Sequence, residues 1–216
     1  MRACDCRATH THEHHRVVLT GGPGAGKTAV LELVRQHFCE HVEVLKEAAG
    51  IVFGGGFPRG PGLEHRRSAQ RAIFHVQRAL EAIASAGAAA VVVCDRGTID
   101  GMAYWPGPGE MWPEVGTSLE HEIGRYEAVI HLRVPPVAAW YNTQNPLRVE
   151  TAAEAAGIDQ RIFEAWRAHP RRFVVEATPE FLDKARRVLD ILRAELPDCC
   201  RTPARARPDS PDGPPA

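Results

Sequence analysis

The sequence predicts an α/β fold: three layers, with an open, mostly parallel sheet of five strands and helices on both faces. Three observations predict it. Five short β-branched runs alternate with segments of helical periodicity. One of those runs, residues 89–94 (AAVVVC), is apolar throughout, as a strand buried on both faces must be. The first run ends in glycines that lead straight into a helical pattern.

The elements follow in order. Residues 16–20 (RVVLT) form the first strand. Residues 27–38 carry Val30, Leu31, Val34 and Phe38 at helical spacing. Residues 42–46 are a short second strand. Residues 63–86 are a long helix with Ile73, Val76, Leu80 and Ile83 on one face, stopped by Gly87. The third strand is 89–94; 128–134 (AVIHLRV) and 173–177 (FVVEA) are the fourth and fifth. A helix over 178–195 closes the domain, with Pro179 in its first turn, where a missing N–H is harmless. The folded unit is therefore 16–196. Residues 1–15 are a polar tail bearing Cys4, Cys6 and four histidines, and 197–216 are rich in Pro, Arg and Asp; both are expected to be disordered. The spacing in the N-terminal tail matches no standard zinc finger.

Composition narrows the function. The 216 residues carry a net charge of -1, so no bulk attraction to DNA is expected. No stretch approaches the roughly 20 apolar residues of a membrane span, and no apolar signal segment opens the chain. The six cysteines do not form a disulfide framework, which points to a reducing, cytoplasmic setting.

Ligands in open α/β sheets sit beyond the carboxyl ends of the strands. After the first strand comes Gly21-Gly22-Pro23-Gly24-Ala25-Gly26-Lys27-Thr28, which matches the phosphate-binding P-loop in full. Its glycines let backbone N–H groups wrap a phosphate, and the following helix adds its dipole. Lys27 is expected to neutralise the β- and γ-phosphates of ATP, with GTP the alternative, and the Thr28 hydroxyl to ligate Mg²⁺. A second acid belongs at the end of another buried strand. Asp95 fits, as a metal-side acid or an orienter of the phosphoryl acceptor.

Several signatures are absent. The chain has no Asn-Lys-x-Asp for reading guanine and no second acid directly after Asp95 of the kind motor ATPases use. The small-kinase branch remains, and it needs arginines over the γ-phosphate on a lid between the fourth and fifth strands. That interval, 135–172, offers Arg148 first and Arg161 second.

The segments GGPGAGKT (21–28), KEAAG (46–50), DRGTIDGMAYW (95–105), NPLRVETAAEA (145–155) and HPRRFVVE (169–176) resemble a kinase-like P-loop family. It is the family shared by the ribosylnicotinamide kinase domain of bacterial NadR and the animal TRP-translocation-defect protein, the AAA domain of NadR type. The resemblance spans nearly the whole folded domain. It implies a nucleoside-kinase-like fold with a helical lid and nucleotide binding, without fixing one acceptor. It also implies that Glu47, after the second strand, contacts the acceptor or takes its proton, the alternative being an acid in the first turn of a helix, and that Arg96 binds acceptor or phosphates. Asp100 contacts a substrate hydroxyl or caps the helix beginning there. Tyr104, Trp105 and Trp112 are candidates for stacking on a ring, or for the core.

The resulting expectation is a magnesium-dependent kinase acting on a nucleoside-like or ribosyl metabolite. The alternative is a nucleotide-dependent switch that binds a protein or lipid partner.

Overall fold

The computed structural model describes residues 13–135, 151–178 and 180–201. Arg148, Pro179 and most of both tails lie outside the described residues. Five strands form one sheet: β1 (His15–Thr20), β2 (Val42–Leu45), β3 (Val91–Asp95), β4 (Ala128–Leu132) and β5 (Arg172–Val175). Their order is β2-β3-β1-β4-β5, and every pair is parallel. The three-layer α/β expectation holds, with a sheet that is wholly rather than mostly parallel.

Side-chain alternation along β1 divides the core in two. Val17 and Leu19 pack with Val30, Leu31 and Val34 of α1 (Lys27–His37) and with Val188, Leu189 and Leu192 of the C-terminal helix Phe181–Glu195. Val18 faces the other way, toward Phe74 and Ala84 of α3 (Leu63–Ser85) and Ile158 and Ile162 of the helix Ala152–Ala165. β3 is buried from Val91 to Cys94 and β4 along its whole length, which is why neither shows polar alternation.

Between these lie short helices: α4 (Gly101–Tyr104), which begins at Asp100 as expected, and α2 (Ala48–Gly54), α5 (Met111–Val115) and α6 (Leu119–Ile123), which no repeating pattern marks. None exceeds seven residues, too few for a helical period to repeat. The helix after the fourth strand, α7 (Ala152–Ala165), starts at a capping box in which Thr151 and Glu154 bond each other's backbone N–H. The closing helix, α8 (Phe181–Glu195), begins three residues later than expected. The ordered chain continues past 196 into α9 (Asp198–Arg201), because Leu196 is buried and Cys200 packs against the core. Among the described residues, no helix is long and apolar enough to cross a membrane.

Candidate active site

The P-loop joins β1 to α1 at the carboxyl edge of the sheet. Gly21 has φ +137°, and a Cβ there would lie 2.1 Å from the Leu132 carbonyl oxygen, so only glycine fits. Lys27 is buried and its Nζ donates to the Gly21 and Gly22 carbonyls at 2.9 and 3.3 Å. Burial first, then the Arg96 guanidinium, lowers its pKa to about 8. A triphosphate would replace those carbonyl contacts and restore a fully charged lysine. Thr28, in the first turn of α1, is exposed.

No strand separates β3 from β1, so Asp95 stands in register with Leu19, beside the P-loop. Its Oδ1 is buried with no hydrogen-bond partner among the described residues. Burial pushes the carboxyl up, against the pull of Lys27. A buried acceptor oxygen without a donor is costly unless a ligand completes it. A hard cation does so, and the carboxylate of Asp95 with the hydroxyl of Thr28 is the oxygen donor type that Mg²⁺ takes. The residues present therefore fit the ion.

Arg96 is the only non-glycine residue with positive φ (+73°) among those described, a conformation that must be held by its surroundings. Its Nε donates to Glu47 Oε1 at 2.6 Å, and its Nη1 to the Gly21 carbonyl at 3.3 Å. Asp100 pairs with it at 3.5 Å, and the Tyr104 ring lies 5.6 Å away. Burial opposes its charge, but Tyr104, Glu47 and Asp100 more than offset that. Arg96 thus links three loops: those after β1, β2 and β3. Glu47, at the N-cap of α2, is only partly screened. Burial raises its pKa, but Arg96 and Lys27 outweigh this and hold the carboxylate below its ordinary range.

The segment after β3 is fastened from beneath. Asp100 is buried and accepts from Gly97 N, Thr20 Oγ1 and Trp166 Nε1. Of its two anticipated roles, the local cap is the one these bonds describe. Thr98 bonds Tyr126 and Glu122, and these continue into a buried network of Glu81, Arg125 and Gln77.

Other anticipated residues fall elsewhere. Arg161, on α7, is exposed, and its Nε donates to the Ala103 carbonyl at 2.9 Å, joining α7 to α4. Arg148, the first choice for the lid, lies outside the described residues. Trp112 is core, whereas Tyr104 and Trp105 are half-buried, with Arg67 over the Trp105 ring.

Two supporting residues were not foreseen. Asp159 of α7 accepts from Gly22 N at 2.9 Å, meets His131 Nε2 at 2.9 Å and pairs with Arg133. Lys184 of α8 donates to the Ala25 carbonyl at 2.9 Å and the Arg133 carbonyl at 2.7 Å. The available signal was a charge on an otherwise apolar stripe: Asp159 among Ala155, Ile158 and Ile162, and Lys184 beside Ala185, Val188 and Leu192.

Comparison with known proteins agrees with this architecture. The model of a family described as AAA domain, AAA_28, matches residues 16–184, most of the chain. No curated protein matches.

Proposed function

The chain belongs to the AAA_28 family of AAA domains, and on that premise we propose that it is a P-loop phosphotransferase. In this reading it moves the γ-phosphoryl group of ATP or GTP to a hydroxyl of a nucleoside-like or ribosyl metabolite, as the resemblance to the NadR-type domains suggests. The observation that carries the proposal is the convergence of Glu47, Asp95 and Arg96 on the P-loop. A protein that only binds nucleotide has no need of a half-exposed acid across an arginine from the phosphate site.

Each residue has a role that follows from its surroundings. The P-loop backbone and Lys27 bind the triphosphate. Asp95 and Thr28 would hold Mg²⁺, which would neutralise phosphate charge during transfer. Arg96, charged and fixed by Glu47, presents a cation between acceptor and phosphates. Glu47 is ionised at neutral pH and accepts the hydrogen bond of the acceptor hydroxyl. The hydroxyl oxygen forms a bond to Pγ, the bond from Pγ to the β,γ-bridging oxygen breaks, and the diphosphate leaves. The hydroxyl proton passes to Glu47. Because the transition state is loose, a low-pKa carboxylate suffices to orient the hydroxyl and collect its proton late. Arg148 is the lid residue proposed to cover the γ-phosphate, while Arg161 anchors α7 to α4 through the Ala103 carbonyl. The cytoplasm, with its nucleotide pool, is the proposed setting.

Diphosphate release across a panel of nucleosides and ribosylnicotinamide tests the proposal. One acceptor is expected to raise turnover well above background hydrolysis, and Glu47→Gln to abolish that rise. Hydrolysis indifferent to every acceptor would sink the kinase reading and leave the switch.

A further inference from the structure

At the opposite edge of the sheet three donor side chains meet. Cys39 and His41 sit on the turn between α1 and β2, and Cys200 lies on α9. Cys200 Sγ is 3.4 Å from His41 Nδ1, and Cys39 Sγ is 3.9 Å from the same atom. All three donor atoms lie within 4.8 Å of one another. A tetrahedral zinc ion with ordinary Zn–S and Zn–N bonds puts sulfur and nitrogen about 3.6 Å apart, and two sulfurs about 3.8 Å apart. The two measured separations bracket the first figure.

The turn is held in shape by its backbone. The His41 carbonyl accepts from Ala90 N and Val91 N, and the Cys39 carbonyl from Val42 N. Only Cys200 arrives from far along the chain, brought by the buried Leu196 and the short helix that follows it. This place is where the parallel strands begin, whereas the P-loop lies where they end.

We infer that Cys39, His41 and Cys200 hold a thiophilic divalent cation, Zn²⁺, which fastens the C-terminal segment to the α1–β2 turn. Two soft thiolates and an imidazole are the donor set this ion prefers over the oxygen-seeking Mg²⁺. Binding releases the thiol protons. The fourth position falls to solvent. At the far edge of the sheet from the transfer chemistry, the ion acts structurally.

The test uses the full-length chain, reduced, loaded with excess Zn²⁺ and desalted. About one zinc per chain is expected by elemental analysis, as a single site requires. Cys39→Ser/Cys200→Ser should retain none, while Cys4→Ser/Cys6→Ser should retain all. Should the first variant fail to fold, cobalt substitution of the wild-type chain decides. Thiolate charge-transfer absorption with the intense visible bands of tetrahedral Co²⁺ supports the site. Octahedral Co²⁺ bands overturn it. So do a chain that leaves loading without zinc, zinc that depends on Cys4 and Cys6 instead, or a Cys39–Cys200 disulfide that persists under reduction.

Discussion

At the scale of single residues, the site holds two charges in surroundings that suit the nucleotide better than the free protein. Lys27 has its pKa lowered to about 8 by burial and by Arg96. Triphosphate binding returns it toward its ordinary value, so binding near pH 8 takes up a proton. Affinity should therefore be full below pH 8 and fall above it, approaching about tenfold per pH unit. Calorimetry at pH 8 in two buffers of different ionisation heat checks this; equal heats would show that Lys27 keeps its proton throughout. Asp95 is the converse case. Its carboxyl is raised above the ordinary aspartate value by burial, so the native state holds its proton more tightly than the unfolded chain. Stability then falls as pH climbs from the ordinary aspartate value through the raised one. Asp95→Asn should raise the stability of the nucleotide-free protein by about 1 kcal/mol while weakening magnesium–nucleotide binding. Thermal melts with and without nucleotide and Mg²⁺ measure both at once. These residues were legible because the P-loop is a contiguous motif and Asp95 ends an unmistakable strand. The Arg96–Glu47 bond was not, since nothing local ties residue 96 to residue 47.

At the scale of elements, what packs against the P-loop decides its shape as much as its own glycines do. The motif leaves the position of Gly22 open to any residue. In the fold, α7 crosses directly over it. A Cβ at Gly22 would lie 2.6 Å from Val134 Cγ2, 2.7 Å from Asp159 Cβ and 2.9 Å from the Ala155 carbonyl oxygen. Backbone cannot yield as a flexible side chain can, and the Asp159 bond to Gly22 N would be strained as well. Gly22→Ala is therefore expected to cost roughly 1–3 kcal/mol and to weaken nucleotide binding beyond that loss. Urea unfolding and nucleotide titration of the same variant check it; a wild-type stability would mean that α7 moves aside freely. Long elements announced themselves in the sequence by repeating their period. The short helices α2, α5 and α6 did not, because burial by their neighbours makes them helical rather than any pattern of their own; α4 was marked only by the capping residue Asp100.

At the scale of the whole molecule, sheet order turns sequence-distant loops into one site. With β1 between β3 and β4, the loops after all three share the carboxyl edge, and α8 closes that edge from the other layer. Lys184 makes the closure, since its ammonium spans the P-loop carbonyl of Ala25 and the Arg133 carbonyl after β4. A lysine on a helix in the last third of a sequence looks like a solvated charge, and its partners come from segments that only the tertiary fold brings near. The cost of burying it is visible in its pKa, lowered by desolvation to about 8 against the pull of Asp159 and Glu176. A lowered pKa means that the unfolded chain binds the proton more tightly than the native protein does. Below pH 8 the full penalty is present, and it is relieved as pH rises from about 8 toward the ordinary lysine value. Lys184→Met removes the titration but leaves Lys27 and every other group in place. The wild-type chain should therefore gain stability relative to Lys184→Met across that window, by about 3 kcal/mol at most. Urea unfolding of both proteins from pH 7 to about pH 10.5 measures the difference directly. If the two stability curves run parallel over the whole range, Lys184 titrates as it would in water, and the carbonyls of Ala25 and Arg133 are held by something other than its charge.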